Sequence, residues 1–220
     1  MVILSVSDLH GSAIVPPAAR KEFQNADVIL VAGDLTTFGD ERRAAAVLAV
    51  FRELNSKVLA VPGNCDTPAV DEFLRREGVN LHGEVREIEG VAFIGLGGSL
   101  PAPGGTTMEF HEAELGRILD EAAARLSQPG APLVLVSHQP PRETVCDLIS
   151  SGRHVGSESV RAFIRGRRPL LCLTGHIHEG AGIDAIGQTR IANPGPFRTG
   201  AYVRAFIEKG CLTRVEILRP

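Results

Sequence analysis

The sequence predicts an α/β protein in which two β-sheets pack together with helices outside. Apolar runs such as "VILVA", "VLAV", "LVLV" and "LLCL" carry no polar alternation, as strands buried on both faces require. These runs alternate with helical segments through the first two-thirds of the chain, and the stretch after "PLLCLT" reads as a β meander. At 220 residues, 44% of them hydrophobic, the chain is long enough to enclose a sizeable core. No linker divides it, so residues 1–220 read as a single domain.

Each element has its own signal. "VILSVS" is a first strand, followed by a short helix over "PPAARKEFQNA". "DVILVA" is the next strand, and "DERRAAAVLAVFRELN" is a helix with apolar residues at Ala46, Val50 and Leu54. "KVLAVP" leads to "PAVDEFLRREG", a helix punctuated by proline at its start and glycine at its end. "VREIEGVAFIGLGG" gives two strands joined around Glu89-Gly90, and "GGSLPAPGGTT" is a loop. "FHEAELGRILDEAAARL" is a helix, "PLVLVS" a strand and residues 139–156 a long loop. "SESVRAFIRG" is a helix capped by serine and stopped by glycine. After "PLLCLT" come "AGIDAIGQTRIAN", "AYVRAFIE" and "CLTRVEIL", with turns at Ile186-Gly187 and Lys209-Gly210.

Composition excludes several classes. A net charge of −3 provides no strong positive field for nucleic acid or an anionic membrane. No apolar run approaches the length of a membrane span. "MVILSVSDLHG" lacks a basic segment and a small-residue cleavage site, so it reads as a strand rather than a signal peptide. Cys65, Cys146, Cys172 and Cys211 are widely spread with no C-x-x-C pair, which predicts reduced thiols and a cytoplasmic protein. The oligomeric state is left open, a homodimer included.

Five buried runs end in residues able to bind a metal. They are followed by Asp8-Leu9-His10, by Gly33-Asp34, by Gly63-Asn64, by His138 and by Gly175-His176-Ile177-His178. Ligands of open α/β sheets bind beyond the carboxyl ends of the strands, and parallel strands would bring all these tips to one edge. In D-x-H and H-x-H the two donors project to the same side of extended chain. Taken singly, Gly-Asp is a commonplace turn and Asp also caps helices. Gly-His-x-His is more informative, and the joint pattern has no ready structural use. Two carboxylates, four imidazoles and one amide oxygen suit Mn, Fe, Zn or Ni. Seven donors exceed the need of one ion and fit two ions that share a carboxylate.

In this order the motifs resemble the calcineurin-like metallophosphoesterases, from Asp8 to the segment "NPGPFRTGAY". The resemblance implies a four-layer αββα sandwich, two mixed β-sheets flanked by helices. It also implies two divalent or trivalent ions, Mn favoured, and a small-molecule phosphoester substrate. Asp8, His10, Asp34 and His178 would hold one ion, and Asp34, Asn64, His138 and His176 the other, with Asp34 bridging. Asp34, Asn64 and His138 would be catalytic through that centre. Two cations about 3.5–4 Å apart would acidify a shared water, and the hydroxide would attack phosphorus in line with the leaving alkoxide.

One departure is specific. The family often carries histidine where this chain has Cys65, and its protein-phosphatase branch carries an Asp-Arg pair where this chain has "GDLTTFG". Both argue against a protein phosphatase. "GNCD" and "SHQPPRETVCD…HVGSESVR" resemble a small bacterial and archaeal branch that hydrolyses phosphodiesters. Cys65 is read as a space-filler beside the site, with proton-relay and redox roles as alternatives. Arg142 and His154, on the long loop, are candidate substrate contacts, as Cys65 is. The expected function is therefore a binuclear-metal phosphodiesterase. The alternatives are a catalytically weak or inactive scaffold for protein binding, as a retromer subunit of this fold is, and a nuclease, which would want a basic groove.

Overall fold

In the computed structural model, which describes residues 1–128 and 130–219, the strands fall into two sheets. The first contains β1 (Val2–Val6), β2 (Val28–Ala32), β3 (Val58–Val61), β10 (Tyr202–Glu208) and β11 (Cys211–Leu218), in the order β11-β10-β1-β2-β3. The second contains β4 (Val85–Ile88), β5 (Val91–Leu96), β6 (Leu133–Ser137), β7 (Leu171–Thr174), β8 (Gly182–Ile186) and β9 (Thr189–Asn193), in the order β4-β5-β6-β7-β9-β8. β1, β2 and β3 are parallel, as are β5, β6, β7 and β9. Register makes the functional ends level. Val6 pairs Val31 in the first sheet, and Ser137 pairs both Leu96 and Thr174 in the second.

The apolar runs are buried on both faces, as their lack of alternation requires. Alternate residues of β1 and β2 divide between two cores, as the two-residue period of a strand dictates. Leu4, Val6, Ile29 and Val31 pack with Phe23, Leu48 and Phe51 from the helices α1 (Arg20–Asn25) and α2 (Glu41–Arg52), and with Val70, Phe73 and Leu74 of α3 (Pro68–Arg76). Ile3, Val28 and Leu30 instead meet Phe93, Val134, Val136 and Leu173 of the second sheet. On that sheet's far face, Ile94 and Leu135 pack with Leu115 and Leu119 of α4 (Glu112–Ala123) and with Val160 and Ile164 of α5 (Glu158–Arg167). These three cores separate four layers, αββα.

Several local expectations shift. The first helix begins only at Arg20, because Pro16 and Pro17 lead into a turn rather than a continuous helix. On α2 the inward stripe is Ala44, Val47, Leu48 and Phe51, not Ala46 and Val50. Helix α5 runs through Gly166 to Arg167 and stops where Arg168 takes a left-handed conformation (φ 52°). The expected meander is two separate hairpins. β8 and β9 extend the second sheet, whereas β10 pairs antiparallel with β1 in the first. The chain crosses between sheets after β9, and a bridge between Ser7 and Pro196 ties the crossing to the end of β1.

Candidate metal centre

All seven predicted donors come together where the carboxyl ends of the two sheets meet. Asp8 and His10 follow β1, Asp34 follows β2 and Asn64 follows β3, while His138 follows β6 and His176 and His178 follow β7. Contacts then cross from sheet to sheet. His138 Nε2 lies 3.0 Å from Asn64 Oδ1 and 3.5 Å from Asp34 Oδ1. The other Asp34 oxygen, Oδ2, is 3.7 Å from His10 Nε2. His10 Nε2 is 3.4 Å from His178 Nε2, which in turn is 3.5 Å from Asp8 Oδ1. His176 packs its ring against His138, with centroids 5.2 Å apart. Asp8, His10 and His178 form one group able to hold a cation, and Asp8, Asp34 and His138 another.

The chain strains to make this arrangement. Asp8, His10, Asp34 and His176 all have left-handed backbone, with φ of 55°, 50°, 51° and 69°. Each costs about 1–2 kcal/mol for a residue with a Cβ, although Asp and His tolerate the region better than most. Hydrogen bonds hold the turns in place: Asp8 N–H donates to the Gly33 carbonyl (3.1 Å), and His10 N–H to the Asp34 carbonyl (2.9 Å). The glycines of Gly-Asp and Gly-Asn are there for space. A Cβ on Gly33 would lie 2.1 Å from His138 Nδ1, and one on Gly63 would lie 2.1 Å from Asp34 Oδ1. Side chains therefore reach the edge by passing over bare backbone.

Surrounding groups fix charge and tautomer. His138 Nδ1 donates to the Ala32 carbonyl (2.8 Å), which leaves the Nε2 lone pair facing Asn64 and Asp34. His10 Nδ1 meets the Thr37 hydroxyl at 3.0 Å. Burial works to raise the Asp8 carboxyl, but the His178 bond and the Ser7 hydroxyl (2.6 Å) outweigh it and bring it down to about 2. His178 is correspondingly raised, chiefly by its bond to Asp8. Burial lowers His176 to about 3. The imidazole of His176 is therefore neutral, as a ligand must be.

The donor set fits a metal. Two ligand atoms about 2.0–2.2 Å from one cation, at tetrahedral or octahedral angles, lie roughly 3.0–3.5 Å apart. Four separations across the cluster, from 3.0 to 3.5 Å, match that spacing, and the fifth, His10 to Asp34 at 3.7 Å, is slightly wider. Pairs of imidazole nitrogens and carboxylate oxygens aimed at one another serve cation binding better than they serve each other.

Cys65 is half-buried at this edge. Its thiol groups with His10 and Asp34, and its N–H donates to Asp34 Oδ1 (2.8 Å). Burial and the Asp34 charge push the thiol up to about 12. Arg142 pairs with Glu158 (3.2 Å). His154 Nδ1 donates to the buried Asp147 (2.7 Å), whose carboxylate also accepts the N–H groups of Glu143, Thr144 and Gly156. Both sit on the long loop, which is moored beside the site by Gln139 Nε2 donating to the Val155 carbonyl and by Ser150 N–H donating to Glu179.

Sequence reasoning missed Asp66, the last residue of "GNCD". It is fully buried and accepts from Leu35 N–H, Thr36 N–H, the Thr36 hydroxyl and Gly63 N–H at 2.7–2.9 Å. It thereby ties the turn that carries Asp34 to the turn that carries Asn64. Burial and the Asp34 charge raise its carboxyl to about 6. Its only signal in the sequence is a carboxylate two residues beyond a strand-tip donor. His82 and His111, which carry no site role, sit elsewhere: buried His82 accepts from Gly97 N–H (2.8 Å), and His111 precedes α4.

A doubly covered two-sheet sandwich with an Asp/His/Asn cluster at one edge defines an α/β protein with a candidate metal centre where the two sheets meet. Residues 1–180 match the model of the family described as calcineurin-like phosphoesterase, and the chain belongs to that family. Membership and the Asp/His cluster support a metal-dependent phosphoester hydrolase using divalent ions. The uncharacterized protein MJ1162 of Methanocaldococcus jannaschii is 39% identical over 202 residues, covering 89% of this chain and 88% of that protein. The crystal structure of TT1561 of Thermus thermophilus superposes with a TM-score of 0.73 at 21% identity, covering 99% of this chain and 98% of that one. A dimetal phosphatase from Danio rerio has the same fold, with a TM-score of 0.63 at 13% identity and the same coverage. Among the described residues, no helix is long and apolar enough to cross a membrane.

Proposed function

We propose that the chain is a binuclear-metal phosphodiesterase, with Asp8, His10, Asp34 and His178 holding one ion and Asp34, Asn64, His138 and His176 the other. The observation that carries this reading is the placement of Asp34. Its two oxygens face different histidines, Oδ1 toward His138 and Oδ2 toward His10, so Asp34 stands between the donors that would hold each ion. When bound, the pair of ions supplies Lewis-acid charge for the phosphoryl oxygens and a water acidified for attack. Mixed oxygen and imidazole donors without an obligatory thiolate suit Mn, Fe, Zn or Ni, and the family resemblance favours Mn among them.

The chain's own residues do the rest. His138 is held in one tautomer by Ala32, and Asp8 is kept ionised by Ser7 and His178. Asn64 offers its oxygen to the centre and can donate its amide N–H to a phosphoryl oxygen. Arg142 and His154 supply contacts from the overhanging loop, and Cys65 packs beside the substrate. The diester preference rests on the departures in the sequence: Cys65 stands where the family often carries histidine, and "GDLTTFG" lacks the Asp-Arg pair of the protein-phosphatase branch.

The test is a panel of bis-aryl phosphate, aryl monoester, cyclic nucleotide and dinucleotide, each with Mn, Ni, Zn and Mg. Diester turnover above monoester turnover supports the reading. Faster monoester hydrolysis under every metal would overturn the diester preference.

A further inference from the structure

Phe38 lies where a phenylalanine has least reason to be. Its side chain is 55% exposed, and its φ of 52° is a conformation rare for a bulky residue. Looseness does not explain it, because the backbone is fixed on both sides. Phe38 N–H donates to the Cys65 carbonyl (2.8 Å). The Thr37 hydroxyl meets His10 at 3.0 Å. Gly39 N–H donates to the Thr36 hydroxyl (3.2 Å), and the Gly39 carbonyl accepts from the Thr67 hydroxyl (3.1 Å). A strained residue persists only where its surroundings over-determine it, and such residues cluster at functional edges.

The exposed large hydrophobic residues of the described chain repeat the pattern. Besides Phe38 they are Ile14, Val145 and Leu148. Ile14 lies on the loop leaving β1, Phe38 on the loop leaving β2, and Val145 and Leu148 on the loop leaving β6. All three strands deliver site donors. Single exposed apolar residues are ordinary when scattered over a surface, but these are confined to the loops of one edge.

We propose that Phe38 is a stacking platform for a planar aromatic ring on the group that phosphorus retains, so that this chain selects phosphodiesters whose retained group is an aryl group or carries a nucleobase. The inference rests on the phosphoesterase reading above and names the class of ester it takes. The occupant is argued from continuity with the site. Phe38 N–H donates to the Cys65 carbonyl, and Cys65 N–H donates to Asp34, so the loop carrying the exposed ring is tied directly to the donors that would hold the ester. An aromatic face gives a base or aryl ring something to stack on without demanding a particular pattern of hydrogen bonds.

The experiment uses the metal-loaded chain and four diesters that all release p-nitrophenolate: the methyl, cyclohexyl, phenyl and thymidine-5′ esters. Leaving-group chemistry is then constant and only the retained group varies. Phe38→Ala lowers kcat/KM for the phenyl and thymidine esters by roughly 5- to 100-fold relative to the methyl ester. Phe38→Tyr keeps both near wild type. Calorimetric binding of phenylphosphonate against methylphosphonate shows the same selective loss without turnover. A larger effect on the thymidine ester than on the phenyl ester assigns a nucleobase, and the reverse assigns a simple aryl group. A fall of equal size across all four esters overturns the proposal, as does loss confined to the cyclohexyl ester. Dissociation of a dimer by Phe38→Ala with unchanged ester ratios overturns it too, by assigning the ring to a contact between copies. Wild-type protein that hydrolyses none of the esters removes the phosphodiesterase reading itself, an outcome distinct from intact turnover without aromatic preference.

Discussion

Gly33→Ala tests whether the site is built by passing side chains over bare backbone. The substitution meets two separate costs. Gly33 has a φ of 95°, which costs a residue with a Cβ about 1–2 kcal/mol. The new Cβ would also lie 2.1 Å from Nδ1, 2.5 Å from Cγ and 2.9 Å from Cβ of His138. That ring has nowhere to go. It is fully buried, with Nδ1 bonded to Ala32 and Nε2 facing Asn64. Overpacking of this kind costs about 1–3 kcal/mol, so the total is about 2–5 kcal/mol. Gly187→Ala is the control. Gly187 has a φ of 60°, and a Cβ there would meet nothing within 4 Å, so only the backbone cost applies.

Urea unfolding in chelator measures both variants without help from bound metal. Gly33→Ala loses about 1–3 kcal/mol more than Gly187→Ala. In a double-mutant cycle, His138→Ala recovers most of that difference, because it removes the atoms in conflict. Calorimetry with Mn then shows about a 10- to 100-fold weaker affinity for Gly33→Ala, as displaced ligand support produces elsewhere, and no weakening for Gly187→Ala. Equal destabilisation of the two variants, with equal Mn affinity, would refute the close-approach account.

Asp34→Ala abolishes metal-dependent hydrolysis, and turnover that survives with excess Mn removes the bridging role. Cys65→His speeds hydrolysis of diesters with poor leaving groups, and an unchanged pH–rate profile shows that the position does not act as an acid. Mn at about 100 times its Kd stabilises the fold by about 2.7 kcal/mol, read as a Tm several degrees above that in EDTA; no shift means the cluster binds no ion. Glu112 supplies a pH test. Burial works to raise its carboxyl, but the Ser157 hydroxyl and the amides of Ser159 and Glu158 outweigh it and hold it below the usual glutamate range. A folded pKa below the unfolded one gives stability that is complete above about pH 4.3 and lost as pH falls through the folded value. Glu112→Gln is therefore less stable than wild type at pH 7 by about 1 kcal/mol, and the gap closes as pH falls through the folded value, as urea midpoints across pH will show; a constant gap excludes the carboxylate as the cause.

The donors were legible because chemistry limits which side chains can hold a cation, and because strand ends announce themselves as breaks in apolar runs. Asp8, His10, Asp34, Asn64, His138, His176 and His178 all lie at such breaks. What supports them was not legible. Asp66 works by accepting four donors from two turns, and three of those donors lie about thirty residues away in sequence. The sheet that receives β10 and β11 is likewise a tertiary choice, since a hairpin of that composition suits either edge. Local punctuation also misled. Gly166 has helix propensity poor enough to suggest a stop, yet the helix continues through it and ends at Arg167, beside the left-handed Arg168.

The strained residues separate into two kinds, and the distinction bears on function. Among the described residues, nine other than glycine have positive φ, and five of them, Asp8, His10, Asp34, Phe38 and His176, belong to the site edge. Asp and His are among the residues that enter this region most readily, so four of the five bear less of its cost than a bulkier residue would, as donors that must turn back toward a neighbouring strand. Strand ends from two sheets cannot face a common point while continuing straight, and a left-handed residue is the shortest way to redirect each. Phe38 fits neither condition. It donates nothing to the cluster, and its side chain raises the conformational cost with no burial to offset it. Relief would be easy, because glycine or asparagine at this position would keep the Cys65 hydrogen bond and lower the strain. The ring is therefore the part of Phe38 that the local structure does not need, and its position beside the donors makes the substrate the partner that does.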